Sequence, residues 1–200
     1  MYLTETLKRT VEKITGRGKP TDRQARAAVR RRKPKTFRFK DNGLIPNNPD
    51  LPVGIYPQAV QLARAKDPAA VLEALFEANQ WGESWRNGIY DYVHYHSAIH
   101  EVLGIARGRA RLRLGGDNGK EVDVTAGDVL VIPAGTGHQC LMESEDFLVV
   151  GAYPPAGKYD LCRGSKAEHT KALKSIPKVP RPNSDPVLGK NGRLLKLWQS

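Results

Sequence analysis

The sequence predicts an all-β body, a sandwich or barrel of short strands, and three of its features say so. Beyond Gly82 the residues fall into brief stretches that are either alternately or continuously apolar. Glycine-bearing turns separate those stretches at close intervals, the rhythm of a sandwich or barrel. Only residues 68–80 carry a convincing helical period in the body, with Val71, Leu72, Leu75 and Phe76 on one face.

The elements follow in order. Leu3, Leu7, Val11 and Ile14 form a helical stripe that Gly16, Gly18 and Pro20 end. Thr21 with Gln24 is a capping-box pattern opening a second helix, Arg23 to Arg32, which Pro34 stops. Phe37 and Phe39 alternate in a short strand, and Asn42-Gly43 and Pro46 to Pro49 make turns. Ala110, Leu112 and Leu114 alternate with Arg109, Arg111 and Arg113, a strand with one apolar and one solvated face. Gly115 to Gly119 is a hairpin loop, and Val122 and Val124 lie on the return strand. Val129 to Ile132 and Phe147 to Val150 read as buried runs. After Pro154 the tail is rich in Pro and Lys, and Leu194, Leu195, Leu197 and Trp198 are expected to fold back onto the body.

Length and composition bound the function. Two hundred residues, 40% hydrophobic and 26% charged, fit one soluble domain with an accessory segment. We expect a basic helical extension over residues 1–36 and a single domain over 37–200, its barrel core at about 84–154. The longest apolar runs fall far short of the roughly 20 residues of a membrane span, and the N-terminus lacks the apolar region of a secretory signal. Two cysteines, Cys140 and Cys162, suggest a reducing compartment, with the cytoplasm as default. The net charge of +11 is local. Residues 1–40 hold 14 Lys/Arg against Glu5, Glu12 and Asp22, whereas the other 160 residues hold 18 basic and 18 acidic side chains. The body therefore gives no sign of a polyanion partner. The extension could hook nucleic acid or acidic lipid. The favoured reading is a solvated or docking segment whose leucine stripe packs on the body or on the second subunit of a homodimer, because no base-reading motif follows it. Its composition, separate from that of the body, leads us to expect that it is dispensable for folding.

Four of the five histidines fall between residues 94 and 138. His94 and His96, two apart on a strand, leave the same face about 6.6 Å apart and can converge on one ion. Glu101 breaks their parity, which calls for a turn or bulge between them. His138 follows the turn Pro133-Ala134-Gly135-Thr136-Gly137. Three imidazoles and one carboxylate suit a divalent transition ion. His100 should point to the opposite face from Glu101, placing it behind the ligands or on the surface. Tyr90 and Tyr92 share the histidines' parity and either line the cavity or form a packed aromatic ladder. Cys140 is read as a small core residue.

These spacings resemble the two signatures of the cupin superfamily. Gly88, five residues, His94-Tyr95-His96, four residues, Glu101, six residues and Gly108 match the first. Gly127, five residues, Pro133, one, Gly135, two and His138 match the second, whose customary final Asn is replaced by Met142. The wording around His94 to Gly104, Pro133 to His138, Phe147 to Pro154 and Asp185 to Trp198 is similar to a YjlB-like group of small bacterial monocupins. The resemblance implies a double-stranded β-helix (jelly-roll barrel) with a few flanking helices, and a metal held by His94, His96, Glu101 and His138. Four protein ligands on a six-preferring ion favour Mn, Fe or Ni over Zn. The site would favour a small anionic, oxygen-rich molecule. Expected chemistry is of dioxygenase or isomerase type, with His100 and Tyr92 as candidate catalytic groups. The alternative is a non-catalytic binding or sensor cupin.

Overall fold

A computed structural model describes residues 19–199. The leucine stripe expected over Leu3, Leu7, Val11 and Ile14 lies outside the described residues. Helix α1 (Asp22–Ala27) begins at the Thr21–Gln24 capping box. It stops five residues before Arg32 because the next residues find partners in the body. Val29 bridges Val60, the Arg30 amide donates to the Ala59 carbonyl (2.8 Å) and the Gln61 amide to the Ala28 carbonyl (2.8 Å). Ala25 is fully buried. Arg26 donates to the Asn79 side chain and the Ala78 carbonyl, at the C-terminal end of α2 (Pro68–Ala78), where a cation meets the helix dipole favourably. This part of the extension is thus tied into the body. The expected boundary at 36/37 falls inside strand β1 (Lys35–Phe37), which ends before Phe39.

The remaining strands are β2 (Val53–Tyr56), β3 (Gly82–Asn87), β4 (Glu101–Arg107), β5 (Arg109–Leu114), β6 (Lys120–Thr125), β7 (Val129–Ile132), β8 (His138–Glu143) and β9 (Leu148–Tyr153). They form one sheet in the order β1-β2-β7-β4-β9-β3 and a second in the order β6-β5-β8, with antiparallel pairing throughout. The first sheet is covered on both faces. Val102, Val129, Val131, Val150 and Ala152 join the core under α1, α2 and the C-terminal residues Leu194 and Trp198. Leu103, Ile105, Leu130, Ile132 and Val149 pack inside the barrel with Leu112, Leu114 and Cys140. Double burial explains why Val129 to Ile132 reads as an unbroken apolar run. The second sheet is half solvated: Arg111 pairs with Asp123 and Arg113 with Glu121, each at 2.8 Å.

Close packing of α2 on β4 depends on a missing side chain. A Cβ on Gly104 would lie 2.8 Å from Phe76 Cζ and 3.0 Å from Leu72 Cδ2, and both neighbours are fully buried. Gly104→Ala is therefore expected to cost about 1–3 kcal/mol by overpacking, read as a Tm lower by about 2–10 °C. An unchanged melting curve would contradict this packing.

Helix α3 (Lys166–Ser175) follows the barrel, capped by Ser165 and Glu168, and runs into a 3₁₀ turn, Ile176–Lys178. Helix α4 (Arg193–Gln199) brings Trp198 down to donate from its indole to the Pro52 carbonyl (2.9 Å), so the tail folds back as expected. Among the described residues, no helix is long and apolar enough to cross a membrane.

Candidate metal centre

His94 and His138 face each other across an antiparallel bridge. The His94 amide donates to the His138 carbonyl (3.1 Å) and the reverse bond is 2.9 Å. Side chains on directly opposed residues project together, and the two ring centroids are 4.1 Å apart. The His96 ring stands 5.8 Å from each of them. The turn before His138 is locked to this stretch. The Gly135 amide donates to the His96 carbonyl (2.7 Å), and Gly135 has φ +92°, a conformation that suits glycine. A Cβ there would also meet the Asn47 carbonyl at 2.9 Å.

Glu101 arrives on the same side because residues 97–100 leave the strand path before β4 begins. The excursion is held by Asp160, whose carboxylate accepts from the Ser97 amide (2.8 Å), the Ala98 amide (3.1 Å) and the Ser97 hydroxyl (2.6 Å). The expected break in parity between His96 and Glu101 is present.

The hydrogen bonds define the chemistry of the cluster. His94 Nδ1 lies against the Tyr92 carbonyl (3.2 Å), His138 Nδ1 against that of Thr136 (3.2 Å), and His96 Nδ1 against that of Asp160. A carbonyl only accepts, so all three Nδ1 atoms carry hydrogen and the Nε2 lone pairs are left free. One ring nitrogen from each of the three lies within 4.8 Å of the others. Glu101 Oε2, buried and without a hydrogen-bond partner among the described residues, sits 3.4 Å from His96 Nε2 and 3.3 Å from His138 Nε2. Acceptors that face one another in a dry site repel unless a cation lies among them. The donor set therefore fits a proton or a divalent ion.

The ionisation of these groups follows from the same geometry. Burial and the neighbouring His138 and His96 rings push His94 down to about 3, against the pull of the Tyr92 carbonyl. For Glu101, burial alone would raise the carboxyl, but His96 and His138 hold it well below the usual carboxylate range. For His96, burial works downward, and the Glu101 carboxylate and Asp160 carbonyl outweigh it, so its pKa is raised. The carboxylate and His96 thus favour each other's charged form.

The other candidates are placed differently. His100 is buried with 1% exposure, which rules out a surface position. Its ring points away from the cluster toward Trp198 (4.7 Å), and its Nδ1 accepts from the Ala134 amide (2.9 Å), bracing the turn before His138. Burial lowers its pKa to about 4. Tyr90 and Tyr92 stack at 4.8 Å and meet the His94 ring at 5.0 and 5.8 Å. Because Tyr90 is 45% exposed, they form a rim and not a buried ladder. Met142, where the second signature customarily has Asn, is 68% exposed.

Two tyrosines escaped the sequence reading. Tyr159 lies 5.0 Å and Tyr153 6.3 Å from the His96 ring. The Tyr153 hydroxyl accepts from Trp85 Nε1 (2.9 Å), and the Trp85 ring lies flat against Gly151. Both tyrosines line a cavity of about 610 Å³ with Ile99, Lys158 and Glu83. Tyr153 continues the parity of Val149 and Gly151 on β9, which was the available signal. Tyr159 comes from a loop beyond the barrel and had none.

A family model of the cupin domain matches residues 86–150. The chain is 40% identical over 167 residues to the uncharacterized protein YjlB of Bacillus subtilis, covering 84% of this chain and 98% of that one. Among solved structures it is similar to WlaRA, the TDP-fucose-3,4-ketoisomerase of Campylobacter jejuni (12% identity, 70% of this chain and 96% of that one, TM-score 0.37). It is also similar to acireductone dioxygenase from Bacillus anthracis, solved with cadmium in its active centre (14%, 48% and 58%, TM-score 0.30). It spans only 31% of the 11S globulin from Wrightia tinctoria (14% identity, 50% of this chain, TM-score 0.32). At these scores none of the three structures bears on the reaction.

Proposed function

The chain belongs to the cupin superfamily, in the group that includes YjlB, and on that premise we propose that it is a metal-dependent enzyme of dioxygenase or isomerase type acting on a small, oxygen-rich anion. The observation that carries this reading is the set of three free Nε2 lone pairs turned toward an unpartnered buried carboxylate oxygen. His94, His96 and His138 would hold the ion through Nε2 and Glu101 through its carboxylate. Four such ligands suit Mn²⁺, Fe²⁺ or Ni²⁺ better than tetrahedral Zn²⁺. When bound, the ion supplies a Lewis acid or an O₂-binding centre. The surrounding residues orient the ligands: the Tyr92, Thr136 and Asp160 carbonyls fix the tautomers, and Tyr153 and Tyr159 flank the His96 side. With the ion, Glu101 leaves a formal +1, which favours an anionic oxygen ligand.

A second reading, a non-catalytic binding or sensor cupin, is favoured by the orientation of His100. That ring faces away from the cluster, so it is no proton-transfer group there, and of the two candidates Tyr92 alone meets a clustered histidine. We also read residues 37–200 as the cupin domain, with α1 and β1 of the extension over residues 1–36 packed onto it. Cytoplasmic placement is kept because both cysteines are free and buried. A homodimer is one assembly compatible with this reading, and contact of the extension with nucleic acid or acidic lipid is the lesser option.

Elemental analysis of protein purified without added metal is expected to give about one Mn, Fe or Ni per chain, and a metabolite screen with oxygen uptake separates the two readings. Metal affinity should also depend on pH with a definite sign. His96 has its pKa raised above the ordinary 6.5 and must lose its proton to bind. Affinity should therefore start to fall as pH drops through a value above 6.5, by up to about tenfold per pH unit for one displaced proton. His94, held down to about 3, adds no competition there. Metal titrations giving one affinity from pH 8 to pH 6 would contradict this.

A further inference from the structure

Arg163 follows the barrel on the segment that carries Tyr159 and Asp160, and it is exposed. Its guanidinium lies over the Tyr92 ring, 4.1 Å from the centroid. Among the described residues it has no ion-pair partner. The carboxylates nearest in sequence are committed elsewhere. Glu168 accepts from the Ser165 amide and hydroxyl and from the backbone amide of Arg163 itself. Asp160 accepts from Ser97 and Ala98. A guanidinium is thus pinned by a ring face while its donors stay free.

The position of that ring gives the cation a purpose. Tyr90 stacks with Tyr92, and both rings abut His94, one of the three clustered histidines. Across the cluster Tyr159 lies against His96, and it is 47% exposed. Exposed tyrosine faces on both sides of a buried polar cluster offer flat, half-wet walls. Cation–π contact fixes the guanidinium, whose planar fork matches a carboxylate with two parallel hydrogen bonds.

We propose that Arg163 is the carboxylate-binding residue of this site, and that the ligand is a small ring-bearing acid whose ring lies against Tyr90 and Tyr159. The assignment rests on the metal reading above, since the ring acid is taken to present a second oxygen to the ion. Aromatic acids and sugar acids share this chemistry. Removing a surface arginine that merely rests on a tyrosine would leave the preference of the site for acids unchanged.

The test uses the full chain loaded with Mn²⁺ and calorimetric titration with two matched pairs: benzoate against benzamide, and glucuronate against glucose. Wild type is expected to bind at least one acid about ten- to a hundredfold more tightly than its neutral partner, the range of a charge-assisted pair. The pair that shows the preference identifies the ring type. Arg163→Ala should cut that preference about tenfold with unchanged Mn²⁺ content, leaving the part due to the ion, and Arg163→Lys should restore part of the loss. An unchanged preference in Arg163→Ala, or no preference in wild type for either acid, overturns the proposal. Failure to load Mn²⁺, or any other divalent ion, overturns the metal reading instead. The same titrations on metal-free protein then judge Arg163 alone.

Discussion

Replacing His138 with Ala is expected to empty the metal site, lowering affinity by more than the 10–100-fold typical of residues that only orient ligands. The imidazole removed is one of three whose Nδ1 is bonded to a carbonyl, so no neighbour can substitute for its Nε2. The His94–His138 bridge is made by the main chain and survives the change, which keeps the fold as an internal control. The double variant His94→Ala/His96→Ala should behave alike, and full metal retention in it would end the metal reading. Glu101→Gln keeps the size and one oxygen but removes the negative charge, so it should weaken divalent ions generally and alter the preference among them. His100→Ala should leave metal content nearly unchanged, since that ring faces Trp198. The reverse pattern, an empty site in His100→Ala and a full one in Glu101→Gln, would place the wrong residue in the shell.

The largest expected loss of stability is at Asp185, which is fully buried. Its carboxylate accepts from the Tyr56 hydroxyl (2.6 Å) and from the amides of Val187 (2.8 Å), Leu188 (3.0 Å) and Leu194 (3.1 Å). Burial and the adjacent carboxylate push the Tyr56 hydroxyl up, so it stays protonated and donates. Asp185→Ala would strand three amides and a hydroxyl in the core and loosen the segment that carries Leu194 and Trp198. Each unsatisfied group costs about 1–3 kcal/mol. Allowing for relaxation, the total should be about 3–5 kcal/mol, a fall in Tm of about 6–20 °C. Asp185→Asn turns an amide donor toward donors on one side and should cost a large part of this. A melting point within two or three degrees of wild type in both variants would refute the role of this carboxylate.

Much of the site is legible in the sequence because its residues sit in two short stretches. Strand parity puts His94 and His96 together, and the odd step to Glu101 demands the detour that Ser97 to His100 make. What holds the detour is not legible. Asp160 lies some sixty residues on, and the bond it makes to His96 uses a backbone carbonyl, which no side-chain pattern can announce. The β-strands are equally readable, since one-sided and two-sided burial leave alternating and continuous apolar patterns. Helix α3 shows no such stripe because it buries only Ala172, although the Ser165–Glu168 capping box was there to be read. The second helix of the extension is overextended by sequence reasoning. Nothing local stops a run of arginines before Pro34, and the stop comes from the distant Val60.

The order of the first sheet has a consequence for synthesis on the ribosome. Strand β2 pairs only with β1 and β7, and β3 only with β9, so each emerges from the exit tunnel long before its main partner has been made. Meanwhile β4, apolar on both faces, waits for β7 and β9, the condition in which nascent chains recruit chaperones. The core behind the sheet closes only with Leu194 and Trp198, which are made long after β9. The core on that face is therefore completed after its strands, and the histidine cluster can assemble only once His138 has emerged to pair with His94.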